Sequence, residues 1–300
     1  MQAQHLPNRR LPVGFAWGLM LLASDFPNIL WYEFTGSIPG WLPWAKVGAA
    51  VVGLGMCWLW RSLRASRPYA GVFLAFSLSL VASNWVDAQP WWQSRFAGAQ
   101  VSFTMLYLGG FIRDLGVAAV VIVVLWFIYR KRSAFFFVKG RLDASIAPVR
   151  WLGIGAGESW RVFGWIFTAG AVLGVAIPTF LGMRLAPGTL LRALPLLPSV
   201  LLFSAINAFT EETYFRAGFL STLHTVVGKN HALLITSLFF GLSHYFYGSP
   251  PGVFGVLLTS FLAWLLGKAM LETQGFAWPW FMHFVPDVVV FVSYALNWVQ

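Results

Sequence analysis

Apolar runs close to the length of a bilayer crossing follow one another almost from end to end of this 300-residue chain. A helical crossing needs about 20 mostly apolar residues, because each residue advances only about 1.5 Å through a hydrocarbon layer about 30 Å thick. Candidate runs lie near 11–31, 42–61, 69–86, 112–129, 161–182, 193–210, 212–227, 231–247, 252–271 and 277–298. Segment 98–111 reads either as an amphipathic lead-in to the fourth run or as a short run of its own. The pattern predicts an all-α fold, a polytopic transmembrane helical bundle of eight to ten spans. Only 10% of the residues are charged and the mean hydropathy is +0.71. Soluble domains carry about 25% charged residues, so a water-soluble globule is excluded. The 17 Trp and 28 Phe suit aromatic belts at the two membrane interfaces.

A net charge of +10 invites a nucleic-acid reading. The basic residues argue against it, because they fall in short clusters between apolar runs: Arg9-Arg10, Arg61/Arg64/Arg67 and Arg130-Lys131-Arg132. That is the pattern of loops held on the cytoplasmic side. The clusters alternate correctly if the N-terminus is cytoplasmic and four spans precede Arg130, so no nucleic-acid partner is expected. The first apolar run, with its basic flank and Ala23-Ser24, resembles a signal peptide; with so many later spans it reads as an uncleaved first anchor. Cys57, the single cysteine, lies in the run VVGLGMCWLW with no His or electropositive neighbour to activate it, and reads as a small hydrophobe.

The longest polar interruption runs from Arg130 to Arg161 and includes Gly153, Gly155 and Gly157. It separates a front half, 1–150, of variable transmembrane helices from a second half, 160–298, that carries every chemical motif. No internal repeat is visible, so the inverted-repeat architecture of many transporters has no support.

In the second half, Phe209-Thr210-Glu211-Glu212-Thr213-Tyr214-Phe215-Arg216 places three ionisable groups inside apolar sequence. A charge at the bilayer centre costs about 2.5–3.5 kcal/mol even on an insertion scale, so such residues usually mark a functional site. Most of the ten acidic residues sit at span ends, and Asp114 follows Arg113 as a local ion pair; Glu211, Glu212 and Asp287 remain embedded. Successive helical residues point about 100° apart, so Glu211 and Glu212 face different directions. Arg216, at i+4, matches Glu212 on one face, which leaves Glu211 facing elsewhere with Asn207 one turn before it. An arginine clamp that only ties two spans together is the structural alternative. His244 ends the run ITSLFFGLSH with Phe240 one turn earlier, and taken alone reads more readily as a core histidine than as a catalyst. His283 and Asp287 are also i and i+4, with Pro286 between them predicting a kink or a helix start.

Three ordered motifs on separate spans, Glu-Glu-x-x-x-Arg, Phe-x-x-x-His and His-x-x-x-Asp, resemble those of the CPBP family. This group of intramembrane endopeptidases includes the CAAX prenyl-protein proteases and bacteriocin-processing or self-immunity relatives. The resemblance covers 160–298 and implies a glutamic-type intramembrane endopeptidase. It implies that Glu211 and His244 activate a water, that Glu212 and Arg216 fix the first motif's geometry, and that His283 and Asp287 stabilise the tetrahedral oxyanion. Many members carry Asn where this chain has Asp287. An ionised Asp only accepts hydrogen bonds, so Asp287 either donates as the neutral acid or orients His283, and the second is preferred.

No cofactor is expected. A Glu and two His could ligate zinc, yet there is no His-Glu-x-x-His pair and the ligands would come from three helices. The expected partners are the lipid bilayer and a peptide or protein substrate in or at the membrane, with or without a lipid modification. The expected location is a bacterial inner membrane. Three other readings are a protease dedicated to C-terminal sorting signals, a catalytically silent scaffold or immunity protein, and a proton-coupled transporter. If the last spans all cross fully, His244 and His283 start from opposite faces, which predicts a site partway into the membrane.

Overall fold

A computed structural model describes residues 10–247 and 251–300, so Arg9 of the first basic cluster lies outside the described residues. Thirteen α-helices follow in order among them: α1 (Arg10–Ala23), α2 (Phe26–Thr35), α3 (Leu42–Leu59), α4 (Arg67–Asp87), α5 (Pro90–Phe96), α6 (Phe103–Tyr129), α7 (Trp160–Leu181), α8 (Thr189–Ala193), α9 (Leu197–Glu212), α10 (Ser221–Leu223), α11 (Lys229–Ser243), α12 (Val253–Thr273) and α13 (Ala277–Trp298). The only β pairings among the described residues are two isolated bridges in the 145–159 loop. Among the described residues, seven helical runs are long and apolar enough to cross a membrane, or eight if the bent pair α1–α2 is one crossing. This is a polytopic helical membrane protein at the low end of the expected count.

Two boundaries differ from the sequence reading. The runs near 193–210 and 212–227 form one helical stretch, Thr189–Leu223, because the charged residues at 211–216 sit within the helix and do not end it. The expected span at 231–247 is the 15-residue α11, about 22 Å at 1.5 Å per residue and short of a full crossing. Segment 98–111 is settled as the lead-in, since α6 is continuous from Phe103.

The chain clusters into two compact units whose segments interleave. One comprises Met1–Val81, Val120–Phe135 and Tyr214–Gly267. In it α1 packs on α3 and α11. The 48° bend between α1 and α2 falls at a polar break, where Ser24 Oγ accepts from the Phe26 amide and Asp25 takes Lys46 Nζ at 2.9 Å. An aromatic cluster fills the centre of this unit: Phe73 and Phe76 on α4 meet Phe219 and Phe239, and Tyr69 donates to the Ala16 carbonyl. Cys57 is wholly buried in α3, as its apolar setting suggested.

The other unit comprises Ala82–Ala119, Phe136–Thr213 and Lys268–Gln300. Here α13 is the axis, packed lengthwise on α9 and on α7. Phe103, Phe111, Val200, Phe203, Phe291 and Ala295 form its core. The polar 136–159 segment is strapped onto the turn between α12 and α13. The Arg141 amide donates to the Thr273 carbonyl, the Phe276 amide to Val138, and Trp278 Nε1 to Leu142. Gly140 lies against the Gly275 backbone at φ +78°, where a side chain would clash with Gly275 Cα. Lys268 pairs with Glu272 and also reaches the Ala147 carbonyl, while Glu272 accepts from Trp160 Nε1. The front of α13 is thereby fixed in place.

Candidate active site

The first and third motifs meet in the second unit. α9 delivers Glu211 and Glu212 at its C-terminal end, and α13 delivers His283 one and a half turns from its start. The His283 imidazole is 3% exposed and Glu212 is 0% exposed. His283 Nδ1 lies 2.9 Å from Glu212 Oε1. A carboxylate oxygen accepts, so the ring donates through Nδ1. His283 Nε2 then faces Glu211 Oε2 at 3.4 Å and Asp287 Oδ2 at 3.7 Å. One imidazole thus has three carboxylates around it. Such a cluster holds and redistributes protons among fixed positions, since each ring nitrogen is aimed at an acid.

Asn207, one turn before Glu211, donates Nδ2–H to Asp287 Oδ2 at 3.0 Å and so orients the aspartate. Asp114 and Arg113 on α6 belong to the same unit, where Arg113 pairs with Asp87 at 3.3 Å. Pro286 does not break α13: the helix runs unbroken from Ala277 to Trp298 with the proline inside it. The ring only removes the bond to the Met282 carbonyl, and His283 and Asp287 keep their i,i+4 relation.

The remaining motif residues lie in the first unit, which the chain enters just after Thr213. Thr213–Leu220 is π-helical, with hydrogen bonds shifted to i→i+5. Arg216, 1% exposed, lays its guanidinium over the Phe240 ring at 4.5 Å, a cation–π contact in a buried setting. Phe240 in turn lies against His244, the rings tilted by 33° with centroids 4.4 Å apart. His244 closes the C-terminal end of α11, and its Nδ1 lies 2.8 Å from the Phe240 carbonyl. A carbonyl can only accept, so the proton sits on Nδ1 and Nε2 presents a lone pair. The Phe of the second motif therefore serves twice, since its ring carries the arginine and its carbonyl sets the histidine tautomer.

Among the described residues, no set of three or more His, Cys, Asp or Glu side chains is arranged to hold a metal ion. The cluster of one histidine and three carboxylates lies among helices long and apolar enough to span a membrane, and that combination defines the class: a polytopic membrane protein with buried ionisable groups facing one another. Residues 193–289 match the family model described as type II CAAX prenyl endopeptidase, Rce1-like, and that stretch contains Glu211, Glu212, Arg216, Phe240, His244, His283 and Asp287. The match bears out the CPBP resemblance carried by the three motifs, and it supports an intramembrane protease of the CAAX type. Neither the curated proteins nor the solved structures yield a match to the chain.

Proposed function

We propose that the chain is a glutamic-type intramembrane endopeptidase that cuts a peptide bond near a lipid-modified C-terminus, with Glu211 as general base and no metal. The observation that carries the reading is the seating of Glu211 and Glu212 on the two nitrogens of one buried imidazole, within the stretch that matches a prenyl endopeptidase family. Glu211 takes a proton from water as the oxygen attacks the scissile carbonyl carbon, and later returns it to the departing amine nitrogen. His244, through the lone pair on Nε2, is the second group that holds the water. His283, acting as the imidazolium with a proton on each nitrogen, donates to the developing oxyanion from Nε2, while Glu212 holds the Nδ1–H and Asp287, steadied by Asn207, orients the ring. Arg216 keeps the second motif in register through Phe240. The basic clusters at the start of α4 and after α6 favour a cytoplasmic N-terminus, and the proposed location is a bacterial inner membrane.

The experiment compares wild type with Glu211→Gln and His244→Ala, first on a farnesylated peptide and its unmodified twin, then on the membrane proteome. A general base contributes about 100- to 10,000-fold, so each variant is expected to lose at least about 100-fold in kcat at unchanged protein level. Cleavage confined to the farnesylated peptide supports the substrate class. Equal cleavage by both variants and wild type overturns the roles given to Glu211 and His244, and absence of cleavage by the wild type overturns the protease reading in favour of a silent scaffold or immunity protein. Trimming of C-terminal sorting tails alone moves the enzyme to that substrate.

A further inference from the structure

The first turns of α7 and α13, together with the strap, form a cavity of about 410 Å³ lined mainly by Leu142, Arg161, Trp165, Trp278, Trp280 and Phe281. It lies wholly within the second unit and takes no part in the acid–base cluster. Its walls are aromatic and mutually braced: Trp165 and Phe281 meet edge to face at 4.8 Å, and Trp278 packs against both. The indole N–H groups of Trp278 and Trp280 are already used, donating to the carbonyls of Leu142 at 2.8 Å and Ala205 at 3.1 Å. Gly164 clears the space for Trp278, since a Cβ there would lie 2.5 Å from its ring. Arg161 is left as the charged group at the rim. It is exposed and, among the described residues, makes no ion pair.

A site with dry aromatic walls and one unmatched guanidinium suits a molecule with a long apolar body and a single anionic head. Its level narrows the choice. α7 and α13 are both long and apolar enough to cross the membrane, and both begin at this cavity, which sets it at the boundary where lipid phosphates lie. The strap around it is basic as well, with Lys139, Arg141 and Arg150 against Asp143 and Glu158. We infer that the cavity is a binding site for an anionic membrane phospholipid, its phosphate on Arg161 and one acyl chain along Trp165, Trp278 and Phe281. Guanidinium and phosphate match in charge and in hydrogen-bond geometry. The inference stands apart from proteolysis, because none of these side chains touches the reacting groups.

The test is native mass spectrometry of the full chain, reconstituted with equal phosphatidylglycerol and phosphatidylcholine and released into mild detergent. One well-placed basic residue is worth about a fivefold preference for an anionic lipid. Wild type is expected to retain phosphatidylglycerol over phosphatidylcholine by about that factor or more. Arg161→Gln is expected to abolish the preference, and Arg150→Gln, an exposed charge outside the cavity, to keep it. Leu142→Trp, which fills the cavity, is expected to lower retention of both lipids. Absence of a wild-type preference overturns the assignment. So does an equal loss in Arg161→Gln and Arg150→Gln, which would mean diffuse surface charge, or undiminished retention in Leu142→Trp.

Discussion

Glu212 is a carboxylate sealed from solvent whose Oε1 serves one imidazole proton. The amide of Gln keeps an oxygen at that place, whereas Ala removes the acceptor and leaves a buried N–H behind. An orphaned buried polar group costs about 1–3 kcal/mol. Glu212→Gln is therefore expected to keep most of the thermal stability in detergent, and Glu212→Ala to lose about 1–3 kcal/mol of it; equal losses would show that the hydrogen bond contributes little. The sequence exposed every member of the three motifs, because charges in apolar runs stand out. It could not show that Glu212 reaches His283, 71 residues away, or that Asn207 serves Asp287. Spacing ranks neighbours only within one helix, where i and i+4 share a face.

α11 and α12 approach so closely at Gly241 that a Cβ there would collide with Ser260 Oγ and come within 2.6 Å of the Val256 carbonyl oxygen. A side-chain hydroxyl can rotate away, but a helix carbonyl cannot, so the two helices would have to part. Gly241→Ala is expected to cost about 1–3 kcal/mol of stability and to lower activity by displacing Phe240 and His244. Gly174→Ala on α7, with nothing within 4 Å of its added Cβ, serves as the neutral control in the same melting and activity assays. An unchanged Gly241→Ala would mean the contact is not tight. Helix positions were legible from hydrophobic run length, but where one run ended and the next began was not. The stretch 193–227 reads as two spans because Glu211, Glu212 and Arg216 mimic a polar loop. Only tertiary bonds such as that of Glu212 to His283 make those charges tolerable in mid-helix. The π turn that follows leaves no trace in composition.

Across the whole molecule, large apolar side chains such as Leu59, Phe127, Ile166 and Leu181 stand fully on the outside, at 80%, 62%, 63% and 85% exposure. A surface of that kind belongs in lipid. The direction of insertion rests on the basic clusters, and it can be read at the two ends of α6. Residue 100 precedes that helix and residue 133 follows it, both exposed. With the N-terminus cytoplasmic, a membrane-impermeant maleimide added to intact cells should label Gln100→Cys, and Ser133→Cys only after permeabilisation; the reverse pattern would invert the topology. The single native thiol makes that measurement unusually direct. Cys57 is buried in α3 at 0% exposure, so the unmodified chain gives a dark background. Any cysteine placed on the surface, at the strap or beside Arg161, becomes the sole reporter of its surroundings.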